Sequence, residues 1–256
     1  MIDREQLRAL HSEDLPLHVL EQDYIQALFL NELYKSSENL VFKGGTFLKH
    51  AHGLDRFSED LDFTAKDSDN LRSELENTKN KLAEYGVKAE LDRFEDKKVS
   101  FSCRLKYQGP LYQGSERSMG TIDIDISKRD DLILDPEWVR LFYDYPEIRV
   151  INALGLNKRE LLAEKLRALS TRDKARDLYD CWFMVKQGTG PEKQLFLQKM
   201  KVVEAEPVIK ISATEDLWER DLSMYLKNPP EFSKVKSELV GMLEGKDFEI
   251  DSSSLN

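Results

Sequence analysis

Two short acidic runs in this chain have the residue types and spacing to do chemistry. In Ser58-Glu59-Asp60-Leu61-Asp62 and in Ile122-Asp123-Ile124-Asp125-Ile126, acidic and apolar residues alternate. On a β-strand alternate side chains share a face, so Asp60 and Asp62 are expected to point one way, roughly 6.5–7 Å apart at the backbone, while Leu61 and Phe63 enter a core. The second run sends its isoleucines to one face and both aspartates to the other. If the two strands are neighbours, three or four carboxylates meet. They offer the hard oxygen donors that Mg²⁺ prefers, and they are enough to hold two ions about 3.5–4 Å apart across an in-line phosphoryl displacement. Asp60, Asp62 and Asp125 are the candidate metal ligands and catalytic carboxylates, with Asp123 as the alternative to Asp125. A lone Asp-x-Asp is most often a solvated strand face. The combination gains specificity from Gly44-Gly45-Thr46 upstream. Two glycines between a strand and a helix let backbone N–H groups approach a phosphate, the helix N-terminus adds its positive end, and Thr46 offers a hydroxyl donor.

A second set lies downstream. Leu162, Leu166 and Leu169 form an apolar helical stripe with Lys165 inside it. A lysine on a core-facing stripe costs free energy unless it is paired or reaches water, and an ammonium reaching a nucleotide's phosphates is the functional reading. Asp173, Asp177 and Asp180 repeat at i, i+4 and i+7. Asp177 and Asp180 are both candidates, and the spacing does not choose between them. In one straight helix Lys165 and Asp180 would be separated by about 22 Å of rise, too far to serve one nucleotide. Ser170-Thr171 is a credible N-cap, so the pattern predicts a helical hairpin that folds the two back together.

The elements that must position these residues follow from periodicity and punctuation. Residues 17–34 read as an amphipathic helix, 40–42 as a short strand, and Thr46 to about His52 as a short helix stopped by Gly53. Residues 57–64 read as a strand and 68–85 as a helix ended by Gly86. Strands follow at 87–94, 98–107 and 121–127. From about 136 the pattern turns mainly helical: Asp135-Pro136-Glu137 looks like a helix start, with Asp as N-cap and Pro at the first helical position. Helical blocks are expected within 158–186 and near 192–203 and 213–227. Pro229-Pro230 marks a boundary, and the end at 251–254 is expected to fray. The expected organisation is an α+β part over 1–133, a helical part over 134–228 and a tail over 229–256. Trp138, Phe142, Tyr143 and Tyr145 are read as core residues, and His50 and His52 as structural.

Composition bounds the function. The 256 residues are 34% charged and 40% hydrophobic, as in an ordinary globular protein. A net charge of −10 argues against nonspecific coating of nucleic acid, although acid excess suits a metal site. No stretch approaches the roughly 18 apolar residues of a membrane span and no signal-like h-region is present, so a cytoplasmic protein without a membrane partner is expected. The two cysteines, Cys103 and Cys181, are read as buried free thiols.

The runs Phe42-Lys43-Gly44-Gly45-Thr46 and Arg56-Phe57-Ser58-Glu59-Asp60-Leu61-Asp62-Phe63 resemble the first motif of the AbiEii/AbiGii nucleotidyltransferase toxins, within the DNA polymerase β-like superfamily. The runs Glu160 to Leu169, Arg176 to Asp180, and Tyr145-Pro146-Glu147-Ile148 resemble its later motifs, so the similarity covers roughly residues 17–190. This resemblance implies a polymerase β-like minimal nucleotidyltransferase fold, a mixed sheet with flanking helices, followed by a mainly helical domain that completes the active site. It implies transfer of a nucleoside monophosphate from an NTP with Mg²⁺ or Mn²⁺. The motif adds Lys43 and Ser58 to Gly44, Gly45, Thr46 and Lys165 as candidate nucleotide-binding residues. It further implies a toxin role in phage defence, an antitoxin partner, and an RNA acceptor such as the acceptor end of tRNA. Two other readings compete: a small-molecule nucleotidyltransferase of the antibiotic-modifying type, with a compact acidic pocket, and a nucleotide-binding module without turnover. Whether Lys and Arg cluster beside the aspartates discriminates the first of these.

Overall fold

The computed structural model describes residues 1–10, 16–129, 131–223, 225–226 and 228–251. They form two compact units. One comprises Met1–Gly53, Ser58–Asp130 and Pro136–Gly155, and the other Leu54–Phe57, Asp131–Asp135 and Leu156–Asn256. Among the described residues no helix is long and apolar enough to cross a membrane.

The first unit is a mixed α+β layer. Its chain runs α1 (Arg4–Leu10), α2 (Leu17–Ser36), β1 (Leu40–Lys43), α3 (Gly44–His52), β2 (Leu61–Ala65), α4 (Leu71–Lys81), β3 (Lys88–Asp96), β4 (Ser100–Gln108), β5 (Gly120–Ser127), β6 (Glu137–Tyr145) and β7 (Ile148–Gly155). The seven strands make one sheet in the order β3-β4-β5-β2-β1-β7-β6. The pairs β2–β5 and β1–β7 are parallel, and the other four are antiparallel.

One face of the sheet carries the core. Phe42 and Phe63 stack with ring centroids 5.2 Å apart, and Phe47 of α3 packs on Phe42 at 5.5 Å. Leu61, Ile122, Ile124, Ile126, Leu105 and Cys103 share this buried layer. Strand alternation then sends Asp62, Asp123 and Asp125 to the opposite face. Cys103 and Cys181 are both free and buried, and burial, helped by the nearby Asp125 charge, pushes the Cys103 thiol up to about 12.

The helix expected to start at Asp135-Pro136-Glu137 is instead strand β6, and β7 pairs with it from Glu137↔Gly155 to Tyr145↔Ile148. Leu141, Tyr143 and Tyr145 alternate into the core at 0%, 6% and 1% exposure. Trp138 and Phe142 face the other way and are exposed, against the expectation that they are core. Apolar residues on both faces of this strand hide its period of two.

The second unit is helical: α5 (Lys158–Thr171), α6 (Ala175–Lys186), α7 (Lys193–Val202), α8 (Glu215–Leu222) and α9 (Phe232–Glu244). The stretch from 229, read as a tail, contains α9, which buries Val235, Leu239 and Leu243. Past Asp251 the expected frayed end lies outside the described residues. The predicted hairpin is present as α5 and α6. Ser170 and Thr171 do not cap the second helix, however. Their hydroxyls donate to Leu166 O and Arg167 O at 2.8 and 2.9 Å within α5, and Lys174 is the residue before α6.

Candidate active site

In the middle of the sheet, β2 and β5 run side by side with Asp62 paired to Asp125 and Leu61 to Ile124. Neighbouring strands lie about 4.8 Å apart and paired residues face the same way. The carboxylates of Asp62 and Asp125 therefore leave one face of the sheet at one level. β2 begins at Leu61 rather than near 57, so Asp60 stands just ahead of the strand, and continuing the register by one step sets it level with Asp123.

Side chains from α2 and α3 fix this lead-in. Gln26 Nε2 donates to Glu59 O at 2.7 Å, and Gln22 Nε2 donates to Glu59 O at 3.0 Å and to Thr121 O at 3.1 Å, joining the approaches to β2 and β5. Thr46, expected as a phosphate donor, is fully buried, and its hydroxyl donates to Asp60 O at 2.6 Å. It is a positioning residue for Asp60. Ser58 is half-buried and its carbonyl accepts from the same Thr46 hydroxyl at 3.4 Å.

Gly44 opens α3 with φ +77°, and Lys43 precedes it with extended backbone. Lys43 is paired with Asp62 across β1 and β2. A Cβ built on Gly44 would lie 2.0 Å from Asp62 Oδ2. Gly44 thus permits the Asp62 carboxylate to approach the start of α3, while the Gly45 backbone next to it is buried.

Asp123 and Asp125, equivalent in the sequence, have different neighbours. Asp123 is gripped by Arg104, with Nε–Oδ1 at 2.5 Å and Nη2–Oδ2 at 2.7 Å, whereas Asp125 is flanked by Asp62 on β2 and Ser102 on β4. Lys106, two residues along β4, pairs with Asp92 at 2.7 Å. The basic residues beside the aspartates on this strand are therefore ion-paired. A cleft of about 320 Å³ opens by Asp60 and Asp123, walled by His18, Gln22, Glu59 and Tyr107.

The donor set suits a hard divalent cation: carboxylate oxygens, with the Cys103 thiol turned into the core by the strand alternation. Among the described residues no three acidic, imidazole or thiol side chains already surround one point. The strand register supplies the convergence, and side-chain rotation is needed to close a coordination shell.

The second unit holds a buried cluster of two cations on one carboxylate. Asp180 on α6 accepts from Arg56 Nε and Nη2, both at 2.6 Å, and meets Lys165 Nζ of α5 at 2.7 Å. Burial would raise the Asp180 pKa, but Arg56 and then Lys165 outweigh it and bring it to about 2. Arg56 also donates to Phe57 O at 2.8 Å. Asp177 is equally buried, but Arg172 holds it through bonds of 2.6 and 2.8 Å. Of the two aspartates the sequence could not separate, Asp180 is the one joined to Lys165. The sequence reading gave Arg56 no role, although an arginine between Leu54 and Phe57 signals a cation that needs a buried carboxylate.

His50 and His52, read as structural, both pack within the first unit. His50 Nε2 lies 3.0 Å from Asp23 Oδ1 and its ring stacks on Tyr143 at 4.3 Å. Burial lowers its pKa against the pull of Asp23. His52 packs edge-on against Phe47 at 5.3 Å.

Residues 26–246 match the sequence model for the nucleotidyl transferase AbiEii toxin of type IV toxin–antitoxin systems. No curated protein matches in sequence. Among solved structures, the chain is similar to the nucleotidyltransferase toxin MenT4 from Mycobacterium tuberculosis H37Rv, with TM-score 0.71 and 17% identity over 100% of this chain and 92% of that one. It is also similar to a candidate nucleotidyltransferase from H. pylori (TM-score 0.60, 20% identity, 90% of this chain and 95% of that one). A third likeness is to JHP933 from Helicobacter pylori (TM-score 0.55, 21% identity, 90% and 92% covered).

Proposed function

Because the chain belongs to the AbiEii nucleotidyl transferase toxin family, we propose that it moves a nucleoside monophosphate from an NTP to a nucleic-acid acceptor through Asp60, Asp62 and Asp125. The observation that carries this reading is the in-register pairing of Asp62 with Asp125 on adjacent parallel strands, with the Asp60 peptide tied in front of them by Thr46. The family membership makes the protein a nucleotidyltransferase, a toxin of a toxin–antitoxin pair, and so a protein with an antitoxin partner. The fold reading is a polymerase β-like nucleotidyltransferase layer, supported by the mixed sheet and by its likeness to MenT4.

In this mechanism Asp60, Asp62 and Asp125 would hold Mg²⁺ (Mn²⁺ has the same donor preference), and Asp123 would be a lesser contributor because Arg104 engages it. The ion, when bound, polarises the α-phosphate and lowers the pKa of the attacking hydroxyl. Asp125 would accept the proton of that hydroxyl as its oxygen bonds to the α-phosphorus and the α–β phosphoanhydride bond breaks, releasing pyrophosphate; the N-terminal backbone of α3 beside Gly44, with Lys43, would face the phosphates. Lys165, whose ammonium Asp180 holds at 2.7 Å, is the candidate in the second unit for binding a nucleotide phosphate. Incubation with Mg²⁺, total RNA and each labelled NTP in turn tests the reading: label should enter RNA with the intact protein and not with Asp62→Asn.

A small-molecule acceptor is the second reading. It is favoured by one observation: Arg104 and Lys106 beside the aspartates are neutralised by acidic partners, so the carboxylate end of the sheet is not a basic groove. The same assay with label recovered in a small-molecule fraction instead of RNA would support it.

A further inference from the structure

The sheet face that carries the aspartates also carries a second feature at its β6 edge. Following the register from Asp62 to Lys43 on β1, and from Phe42 through Gly155 to β6, puts Trp138, Arg140 and Phe142 on the aspartate side. Their partners on β7 are Leu154, Asn152 and Val150. Trp138 is 53% exposed, Phe142 65% and Val150 44%. Arg140 stands exposed between the two aromatic residues and, among the described residues, has no hydrogen bond or ion pair. From Trp138 to Phe142 and across to β7, the outward-facing residues include no carboxylate; Asp144 follows beyond the register shift.

Exposed aromatic residues on an edge strand usually signal a partner. The chemistry here favours one kind. Trp138, Arg140 and Phe142 follow one another at about 7 Å per step, each able to present a flat π-face or guanidinium plane to a base. The unpaired guanidinium among them attracts phosphate. A second copy of this chain is disfavoured, because edge-to-edge pairing centred on this strand would set one Arg140 against the other, and directly opposed like charges destabilise a sheet. Three strand steps sideways and two residues along put Trp138 roughly 15 Å from the Asp62 level. Val41, Thr64 and Leu154, on the same face in between, are buried, so the strip is a separate subsite.

We propose that Trp138, Arg140 and Phe142 form a stacking site for unpaired bases of the acceptor nucleic acid, a few nucleotides back from the reacting end. This rests on the nucleotidyltransferase reading and adds to it how a chain with net charge −10 holds a polyanion: by stacking more than by charge. Stacking tolerates any base, so the site selects single strands over duplex without reading sequence.

The test is titration of the full chain with a short single-stranded RNA of mixed sequence, alongside the same RNA as a blunt duplex, without NTP. Trp138 is far more exposed than the buried Trp218, so stacking should quench tryptophan fluorescence with the single strand and much less with the duplex. Trp138→Ala and Phe142→Ala should each weaken single-strand affinity about tenfold or more, and Arg140→Lys should restore less than half of what Arg140→Ala removes. Thermal shift by NTP with Mg²⁺ should be unchanged in all of them. Single-strand affinity that is unchanged in Trp138→Ala and Phe142→Ala overturns the proposal, as does duplex bound as tightly as single strand. So does a wild-type dimer in light scattering that those variants convert to monomer while RNA binding persists, because the face is then a protein interface. Loss of transfer in Asp62→Asn together with intact RNA binding in Trp138→Ala would sink this inference alone. No NTP-dependent transfer to any acceptor would instead sink the reading beneath it.

Discussion

The carboxylate of Asp62 occupies the space that a side chain on Gly44 would need, with Oδ2 only 2.0 Å from an ideal Cβ there. The glycine expected to admit a phosphate is in the first place the glycine that admits this aspartate. Its φ of +77° adds a second reason for having no side chain. Gly44→Ala should lower stability toward urea by at least ~1 kcal/mol through backbone strain alone, and should reduce transfer by displacing Asp62. In an Asp62→Ala background the same change should cost less, because the 2.0 Å contact with the carboxylate is gone and only the strain and the 2.7 Å contact with the retained Cβ remain. Equal costs in the two backgrounds would show that Gly44 and Asp62 are independent.

Asp60→Asn, Asp62→Asn and Asp125→Asn should each cut transfer by several powers of ten with melting behaviour near that of the wild type, since these carboxylates are not core residues. Asp123→Asn should cost much less transfer and should free Arg104. Circular dichroism melts beside the labelled-NTP assay separate the two effects. An Asp125→Asn variant with full activity would remove the third ligand from the scheme.

Divalent ion should couple to nucleotide. A ligand that binds only the folded chain raises its melting temperature by mass action, so NTP should raise it more in Mg²⁺ than in EDTA. Asp62→Asn should abolish the difference, and equal shifts in both buffers would count against the metal site.

Lys165→Met keeps the apolar stem, and the Arg56–Asp180 pair remains intact. Stability should fall by less than ~2 kcal/mol, while transfer drops at least tenfold. Arg56→Met removes the bidentate partner of Asp180 and the donor to Phe57 O, so it should be the more destabilising change. Urea melts and transfer rates of the two variants together decide whether Lys165 has a role beyond holding the cluster.

Acid should reveal Asp180. Its pKa of about 2 in the folded chain lies below the ~3.9 of an unfolded aspartate. Its contribution is therefore fully present above about pH 4 and is lost as pH falls through 2. Asp180→Asn leaves two cations buried without their anion and should cost about 3–5 kcal/mol at neutral pH. Urea melts between pH 5 and 2 should show the gap between wild type and variant closing, and a constant gap would mean that other groups carry the stability.

The placement of the candidate residues was legible in the sequence wherever one local pattern dictates one geometry. Alternation in Ile122 to Ile126 and in Asp60 to Phe63 assigns the aspartates to one face, and the helix break expected near Ser170-Thr171, which falls at Arg172 to Lys174, brings Lys165 to Asp180. Telling Asp125 from Asp123 needed the neighbour strand, because β4 brings Arg104 to Asp123. Choosing Asp180 over Asp177 needed Arg56, which is 124 residues away. The strand at 137–145 was missed because Trp138 and Phe142 make both of its faces apolar, and because Asp-Pro-Glu is as good a strand lead-in as a helix start when tertiary pairing decides. Thr46 was given to a phosphate because its type and position fit one. Only the fold shows that the Asp60 carbonyl reaches it first.

The bond between Arg56 and Asp180 also sets an order in time. At about 5–20 residues per second of synthesis, the arginine leaves the ribosome roughly 6 to 25 seconds before the carboxylate that neutralises it. Asp60 to Asp62 emerge at the start of that interval and Asp123 to Asp125 just past its midpoint, whereas Lys165 follows only near its end. The buried cluster of this toxin-family chain closes only after residue 180, so its support is made in two instalments, and on the role proposed for Lys165 a chain terminated before it should show no transfer.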